Sequence, residues 1–432
     1  MKKNNLPSKI NTKTSTNFKW DDFTYKKKDF RAYRSYLSKK IVILNHTDTV
    51  FLKNPDGSVD FSKKMNFDDL KLDLIDNGFK ISDNNFKSLI NSDRIEKIDS
   101  LIIFFNQLKS NKWDKIDRIK DLVLAAKLKG EFDENLKLIK KWLCTTYGFA
   151  MRGIDPEMPE KVFSRVVFIL SSEQRGFGKT EFFRKIGLSG AIEKSTGIVG
   201  TEIYAEAQGE LPKDDRNVSI NLITKMIYLF DDINNLLIKS EGTLRSIISQ
   251  DYVTKRDLYK DSNKSLKKRA TFAGTTNYRE LLRNESENRY MLFTVEEKMD
   301  FKLLNSIDIF QLWSQIRQEI ISNKKEAFFS HQDYDAIIKM SKEYIYHSEL
   351  EDMLNNMFVY DENGRVGFSE VMKSLKEEYS ITASMNNVGA KLKLLAPEGV
   401  NIKYKKNGKR FYKLEWRNKI DEGEEDEQDL PF

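Results

Sequence analysis

The sequence predicts an α/β protein whose core is a parallel sheet. Three short apolar runs, at residues 166–170, 226–230 and 270–274, each lead into polar or charged side chains. Central parallel strands have this composition because both of their faces are buried. The first run is followed by a glycine-bearing turn and a helical pattern, which is the order of a strand–loop–helix unit. We therefore predict polar side chains at the ends of several parallel strands.

Composition and pattern divide the chain into five segments. Its 432 residues leave room for about two or three domains. We predict, in order, a flexible basic arm, a mostly helical N-terminal domain, a core that carries the three strands, a domain of helices and one hairpin, and an acidic tail. Their bounds are 1–28, 29–155, 156–340, 341–418 and 419–432.

Composition also excludes several classes of protein. The chain contains no run of 18 apolar residues, so no membrane span is expected. The basic start leads into no apolar segment, which argues against a secretory signal. Cys144 is the single cysteine, which excludes an internal disulfide and a cysteine-rich zinc site. We expect a cytoplasmic protein in a reducing compartment.

Charge is divided unevenly along the chain. The net charge is +7, yet residues 421–432 carry seven acids and no base, so the rest of the chain carries +14. A basic body suits a nucleic-acid partner, and an acidic tail suits a protein partner. The alternative is a lysine-rich composition whose surface charge is only solvated.

A phosphate-binding loop is predicted directly after the first strand. Glycines let successive backbone N–H groups turn toward one anion, and the start of a helix adds a partial positive charge. Lys179 is expected to reach the β- and γ-phosphates of ATP, and Thr180 to hold Mg²⁺. Glu173 departs from the pattern because it occupies the position of the first glycine. The alternative is a tight turn before a helix. The predicted nucleotide-binding residues are Gly176, Phe177, Gly178, Lys179 and Thr180.

The second and third strands end in candidates for catalysis. Asp231 and Asp232 close the second strand. Asp231 is expected to help hold Mg²⁺, and Asp232 to orient or deprotonate the attacking water. Asn277 follows the third strand and could hold the same water near the γ-phosphate. The alternative is that both strands end in ordinary turns.

A basic hairpin is predicted between these two strands. Its basic residues Lys255, Arg256 and Lys260 alternate with Tyr252 and Tyr259. The two tyrosines could stack on nucleobases or pack the hairpin itself. Cationic and aromatic groups on a projecting hairpin suit single-stranded DNA. A solvated edge hairpin is the alternative.

The segment before the tail predicts a second DNA-binding element. Three helices and a hairpin with an Asn-Gly turn are expected there, an arrangement that resembles a winged helix. Basic residues near the hairpin tip are expected to contact DNA phosphates. They are Lys405, Lys406, Lys409 and Arg410.

With these pieces in order, the chain resembles the virulence-associated protein E family over about residues 100–325. Members are P-loop proteins of phages and mobile elements, related to superfamily 3 helicases and often linked to primases. The matching features are Trp113-Asp114-Lys115-Ile116-Asp117-Arg118-Ile119, the glycine-bearing loop, Asp251 through Arg256, Gly274-Thr275-Thr276-Asn277, Glu287-Asn288-Arg289 and Leu312-Trp313.

The resemblance implies an ATP-driven replicative DNA helicase that translocates on single-stranded DNA. It implies an AAA+-like P-loop core and hexamers whose ATP sites lie between subunits. Asn277 carries over as the sensor, and Arg289 as a sensor or as an arginine finger that reaches a neighbour's ATP. Tyr290 follows Arg289 where relatives often carry a second arginine, which leaves the finger assignment open. No primase signature is found in residues 1–100.

The tail resembles the acidic tip of bacterial single-stranded DNA-binding proteins. That resemblance implies that the terminal aromatic ring enters an apolar pocket on a replication partner, with the acids against basic residues. The partner would be a separate primase, polymerase or similar protein. A solubilising tail is the alternative. The predicted docking residues are Asp429, Leu430, Pro431 and Phe432.

Three functions remain open from the sequence. The first is a DNA helicase or origin-melting initiator. The second is a P-loop ATPase that uses ATP to assemble, as an initiator or a switch, without processive unwinding. The third is a winged-helix DNA-binding protein whose ATP site has decayed. The basic hairpin favours the first, and Glu173 is the main argument for the third.

Overall fold

The computed structural model of the chain separates into two compact units, residues 1–344 and 345–432. It describes residues 37–45, 49–76, 79, 81–92, 95–192, 201–208, 215–256, 263–278, 281–282, 288–345, 349–377, 379, 383–397 and 400–417. The predicted arm and the acidic tail lie outside these residues.

A four-stranded sheet opens the first unit. Its strands are β1 (Ile41–Leu44), β2 (Thr49–Lys53), β3 (Val59–Asn66) and β4 (Glu96–Ile98), in the order β3-β2-β1-β4. Two helices, Phe67–Asp76 and Asp83–Ile90, pack on it around a small apolar core. The prediction of a mostly helical domain therefore missed this sheet. A turn at residues 54–57 joins β2 and β3, with Gly57 at a φ of 84°.

The larger sheet of the first unit contains the three predicted strands and is wholly parallel. Its strands are β5 (Val167–Ser171), β6 (Tyr204–Gln208), β7 (Ile227–Asp231), β10 (Thr271–Thr276) and β11 (Tyr290–Thr294). Their order is β11-β5-β10-β7-β6, so β10 lies between β5 and β7. Because all five strands run the same way, their carboxyl ends meet at one edge.

Helices cover both faces of this sheet. Alternate side chains of β5 enter two different apolar clusters: Phe168 and Leu170 pack into one, and Val167 and Ile169 into the other. This separation follows from the two-residue period of a strand. The helices of this part are Ser100–Ser110, Arg118–Ala126, Phe132–Met151, Lys179–Ile186, Asp215–Thr224, Asn234–Lys239, Glu241–Ser249, Phe301–Ser306, Ile309–Ser322 and His331–Ser341.

The predicted hairpin is present between β7 and β10. It consists of β8 (Tyr252–Arg256) and β9 (Asn263–Lys267), paired antiparallel with Tyr252 opposite Lys267. One face packs on the protein, since Val253 belongs to an apolar cluster and Leu266 packs against it. Tyr252, on the other face, is 56% exposed.

The second unit contains the three helices and the hairpin expected there. The helices are Glu349–Met357, Phe368–Glu377 and Met385–Leu392, and the strands are β12 (Phe358–Tyr360), β13 (Val366–Gly367), β14 (Lys403–Lys406), β15 (Lys409–Tyr412) and β16 (Leu414–Trp416). The β14–β15 turn has Asn407 at φ 50° and Gly408 at φ 76°. Two positive φ angles are what a two-residue Asn-Gly turn requires.

Among the helices of the described residues, none is long and apolar enough to span a membrane.

Candidate functional site

The glycine-bearing loop leaves the carboxyl end of β5. Gly176 has a φ of 80° and Gly178 a φ of 101°, both in the left-handed region that favours glycine. A Cβ on Gly178 would also lie 2.8 Å from the ring of Phe301. Glu173 is not among the residues with positive φ, so the backbone there accommodates a side chain. The backbone conformation at this position therefore does not require glycine.

The helix Lys179–Ile186 begins at the end of this loop with Gly178 as its N-cap and no side-chain cap. The backbone N–H groups of a first helical turn lack partners within the helix. An uncapped start that faces a turn of glycines is therefore suited to an anion. Phe177 is half-buried against the core, and its carbonyl accepts a 3.0 Å hydrogen bond from the backbone N–H of Met299.

Lys179, the first residue of this helix, is a buried cation held at the carboxyl edge of the sheet. It is 7% exposed. Its Nζ donates to Ser172 Oγ at 2.5 Å and to Asn277 Oδ1 at 2.8 Å. Burial lowers the pKa of Lys179, and the charges of Asp231 and Asp232 oppose that shift. A negative ligand here would receive a largely desolvated positive charge, which strengthens the interaction.

The next residue of the helix reaches the end of β7. Thr180 Oγ1 donates to Asp231 Oδ1 at 2.8 Å, and Thr275 Oγ1 donates to the same oxygen at 2.6 Å. A hydroxyl beside a carboxylate offers hard oxygen ligands of the kind that Mg²⁺ prefers. The structure thus brings together the two residues predicted to hold the metal.

Asp232 is held in an unusual backbone conformation beside this pair. Its φ is 59°, in the left-handed region, and its backbone N–H donates to Thr275 Oγ1 at 3.1 Å. Its side chain is exposed and accepts from the Asn234 amide, whose carbonyl oxygen accepts in turn from the Thr276 hydroxyl. Strained positions of this kind are often found at functional sites. The carboxylate is oriented and stays open to solvent.

Arg289 is not brought to this cluster. It directly precedes β11, and its carbonyl accepts from the backbone N–H of Val167 at the start of β5. Lys179 and Asp231 lie at the opposite, carboxyl edge, about 13 Å away along a five-residue strand. A sensor role for Arg289 in its own chain's site does not fit this position. A finger role toward a neighbouring subunit stays a prediction.

The predicted DNA-binding residues are only partly described. Lys255 and Arg256 lie at the distal end of β8, and Lys260 lies outside the described residues. Lys405, Lys406 and Lys409 are exposed around the Asn-Gly turn of the second unit. Arg410 pairs with Lys405 next to this turn, and its guanidinium lies 4.8 Å from the ring centroid of Phe368. The predicted docking residues Asp429, Leu430, Pro431 and Phe432 lie outside the described residues.

Three polar residues of the site were not predicted. Ser172 holds Lys179, Thr275 holds Asp231, and Asn234 links Asp232 to Thr276. A signal was available for Thr275, since it precedes Asn277 at the end of a strand beside β7. Ser172 and Asn234 become recognisable only once the strand order is known.

The family motifs outside the loop hold helices in place. Arg118 makes two 2.6 Å hydrogen bonds to Asp114, which lowers the pKa of that carboxyl to about 2. Asp117 caps the helix Arg118–Ala126 and accepts from Gln315 at 2.7 Å. Trp313 Nε1 donates at 2.9 Å to the carbonyl of Ile186, the last residue of the helix that begins at Lys179. Through Trp313, one of these motifs therefore contacts the helix that carries the candidate site.

Comparisons with known proteins give one family. No curated protein matches the chain. Two matched solved structures are an apo structure of the C-terminal region of NrS-1 (TM-score 0.49, 11% identity, 90% of this chain and 100% of that chain) and an A-form apo structure of the same region (TM-score 0.45, 12% identity, 89% and 97%). A family model described as the virulence-associated protein E-like domain matches residues 108–346, more than half of the chain. The resemblance noted from the motifs is thereby confirmed: the protein belongs to the virulence-associated protein E-like family.

Proposed function

We propose that the protein is an ATP-driven replicative DNA helicase, related to superfamily 3, that serves a phage or mobile element in the bacterial cytoplasm. One observation carries this proposal. A buried lysine, a threonine hydroxyl, two carboxylates and an asparagine amide meet at one edge of a parallel sheet, next to an uncapped helix start. This set matches the parts of a phosphoryl-transfer site of the P-loop type.

The residues present fit ATP and Mg²⁺. Lys179 and the first N–H groups of its helix bind the phosphates, and the left-handed Gly176 and Gly178 allow the backbone to approach them. Thr180 and Asp231, already joined by a 2.8 Å hydrogen bond, hold the metal. Bound Mg²⁺ neutralises charge on the phosphates and polarises the bond that breaks.

Two further residues act on the attacking water. Asp232 is exposed and oriented through Asn234, so it accepts or directs a proton at the water. Asn277 reaches Lys179 at 2.8 Å, so its amide lies within reach of any phosphate that the lysine binds.

Assembly and DNA binding complete the proposal. The chain acts as a homo-hexamer, in which Arg289, distant from its own site, serves a neighbour. The basic hairpin residues Lys255, Arg256 and Lys260 bind single-stranded DNA in the pore. The second unit is a winged-helix-like domain, and its exposed lysines add contacts to origin or single-stranded DNA. The tail at Asp429–Phe432 docks a separate primase, polymerase or other replication protein.

Steady-state hydrolysis of ATP by the purified protein, with and without single-stranded DNA, tests the function. A helicase of this class hydrolyses ATP faster when DNA is present. Hydrolysis that DNA leaves unchanged would support an assembly switch instead. A folded protein that binds DNA and neither binds nor hydrolyses ATP would point to a decayed site and refute the proposal.

Asp232→Asn separates hydrolysis from binding. We expect the variant to hydrolyse ATP at least about tenfold more slowly, because the amide cannot accept a proton, while its affinity for ATP and Mg²⁺ stays near that of the parent. The measurements are single-turnover hydrolysis and titration with a fluorescent ATP analogue. Asp335→Asn, at an exposed aspartate on the helix His331–Ser341, is the matched control. Parent-like hydrolysis by Asp232→Asn would remove this residue from the mechanism.

A further inference from the structure

The base of the hairpin adjoins a second exposed segment of the first unit. Burial alternates along residues 161–166: Lys161, Phe163 and Arg165 are exposed, and the residues between them are buried. Such alternation places the three side chains on one face. Phe163 is 48% exposed, and the Arg165 guanidinium lies 5.8 Å from its ring centroid. An aromatic ring flanked by two cations thus faces solvent.

A buried arginine ties this segment to the hairpin. Arg152 donates to the carbonyl of Val162 at 3.0 Å and to the carbonyl of Lys268 at 2.9 Å. One guanidinium therefore bridges Val162, which precedes Phe163, and Lys268, which follows β9. Lys268 is buried, and its Nζ donates to the carbonyls of Ile247 and Ile248 at the end of the helix Glu241–Ser249. The hairpin base is therefore fixed on both sides.

The exposed face of the hairpin base has the same chemistry as the neighbouring segment. Tyr252 and Lys267 are directly opposite each other, and both are exposed. The Lys267 ammonium lies 4.0 Å from where a Cβ on Gly153 would be, one residue beyond the bridging Arg152. Tyr252 is 56% exposed, so its ring is accessible to a base, which is one of the two roles open to it from the sequence.

We propose that these side chains form one stacking platform for single-stranded DNA at the base of the hairpin. The stacking platform consists of Lys161, Phe163, Arg165, Tyr252 and Lys267. Two exposed rings suit unpaired bases, and three cations suit the phosphates between them. Single strands fit this chemistry better than a duplex, whose bases are stacked inside. The inference rests on the proposed function. It adds to that function a DNA contact distinct from those of Lys255, Arg256 and Lys260.

The rings and the cations are tested separately. Phe163→Ala with Tyr252→Ala should weaken binding of a labelled oligothymidylate by about tenfold or more, because stacking on each ring is lost. Binding of an abasic oligomer of the same length should not change. Replacing Lys161, Arg165 and Lys267 together with alanine should weaken binding of both oligomers. The slope of log affinity against log salt should fall by about 2, because three phosphate contacts are lost. Phe163→Tyr with Tyr252→Phe should restore parent affinity, since both rings remain.

Phe328→Ala is the matched control, because Phe328 is an exposed aromatic elsewhere in the first unit. Thermal melting of each variant checks its fold. Parent-like affinity of the double alanine variant for oligothymidylate would overturn the inference, as would an equal loss on the abasic oligomer. A parent that binds duplex but no single strand would overturn both this inference and the proposed helicase. Platform-dependent binding by a protein without ATPase activity would support the inference and refute the proposed function alone.

Discussion

Lys179→Ala is expected to abolish ATP hydrolysis, with a loss of at least about a hundredfold in kcat/KM. Lys179 is the buried cation of the site, and its Nζ is held by Ser172 and Asn277. Among the described residues, Lys179 is the positive side chain in contact with Ser172 and Asn277. Its replacement with alanine leaves the negative charge of the bound phosphates uncompensated. Release of inorganic phosphate, measured with saturating Mg²⁺ and ATP, checks this result.

The fold should survive this substitution. Burial lowers the pKa of Lys179, which means that the folded protein disfavours its charged form. Lys185→Ala is the matched control, since this lysine lies on the same helix and its Nζ donates to the carbonyl of Asn305. The control should hydrolyse ATP like the parent. Hydrolysis at the parent rate by Lys179→Ala would show that the site has been assigned wrongly.

Replacing Lys255, Arg256 and Lys260 together with alanine is expected to uncouple ATP hydrolysis from unwinding. The first two lie at the distal end of β8, on a hairpin whose base is anchored to the helix Glu241–Ser249, and neither is among the residues that meet at the carboxyl edge of the sheet. Basal ATPase should therefore persist, while stimulation by DNA and strand separation are lost. The slope of log affinity against log salt for single-stranded DNA should fall by about 2, because three phosphate contacts are lost.

The matched control for the hairpin is a triple variant with the same change in charge. Lys109, Lys112 and Lys120 are exposed in the first unit and belong to neither the site nor the hairpin. Their replacement with alanine should leave unwinding intact. Full unwinding by the hairpin triple variant would exclude the hairpin from the coupling mechanism.

The elements of the site were predictable from the sequence because each has a strong local signal. The apolar run at 166–170 and the glycines at 176 and 178 gave the strand, loop and helix. The apolar run before Asp231 gave β7 for the same reason. Strand order was not predictable, since the insertion of β10 between β5 and β7 is decided by pairing between distant segments.

The errors have physical causes. The N-terminal sheet was missed because β3 is rich in polar residues and β4 has only three residues, so neither carries a clear apolar period. Arg289 was grouped with the catalytic residues by resemblance, as a sensor or as a finger, and only the sensor role conflicts with its position. A residue that precedes a parallel strand lies at its amino end, whereas the other site residues follow theirs.

ATP-dependent displacement of a labelled strand from a forked DNA by the purified protein tests the central claim most directly. The proposed function predicts displacement with ATP and Mg²⁺, none with a nonhydrolysable ATP analogue, and none by the Lys179→Ala variant. Displacement that proceeds equally well with the analogue, or a protein that hydrolyses ATP with DNA present and displaces no strand, would contradict it.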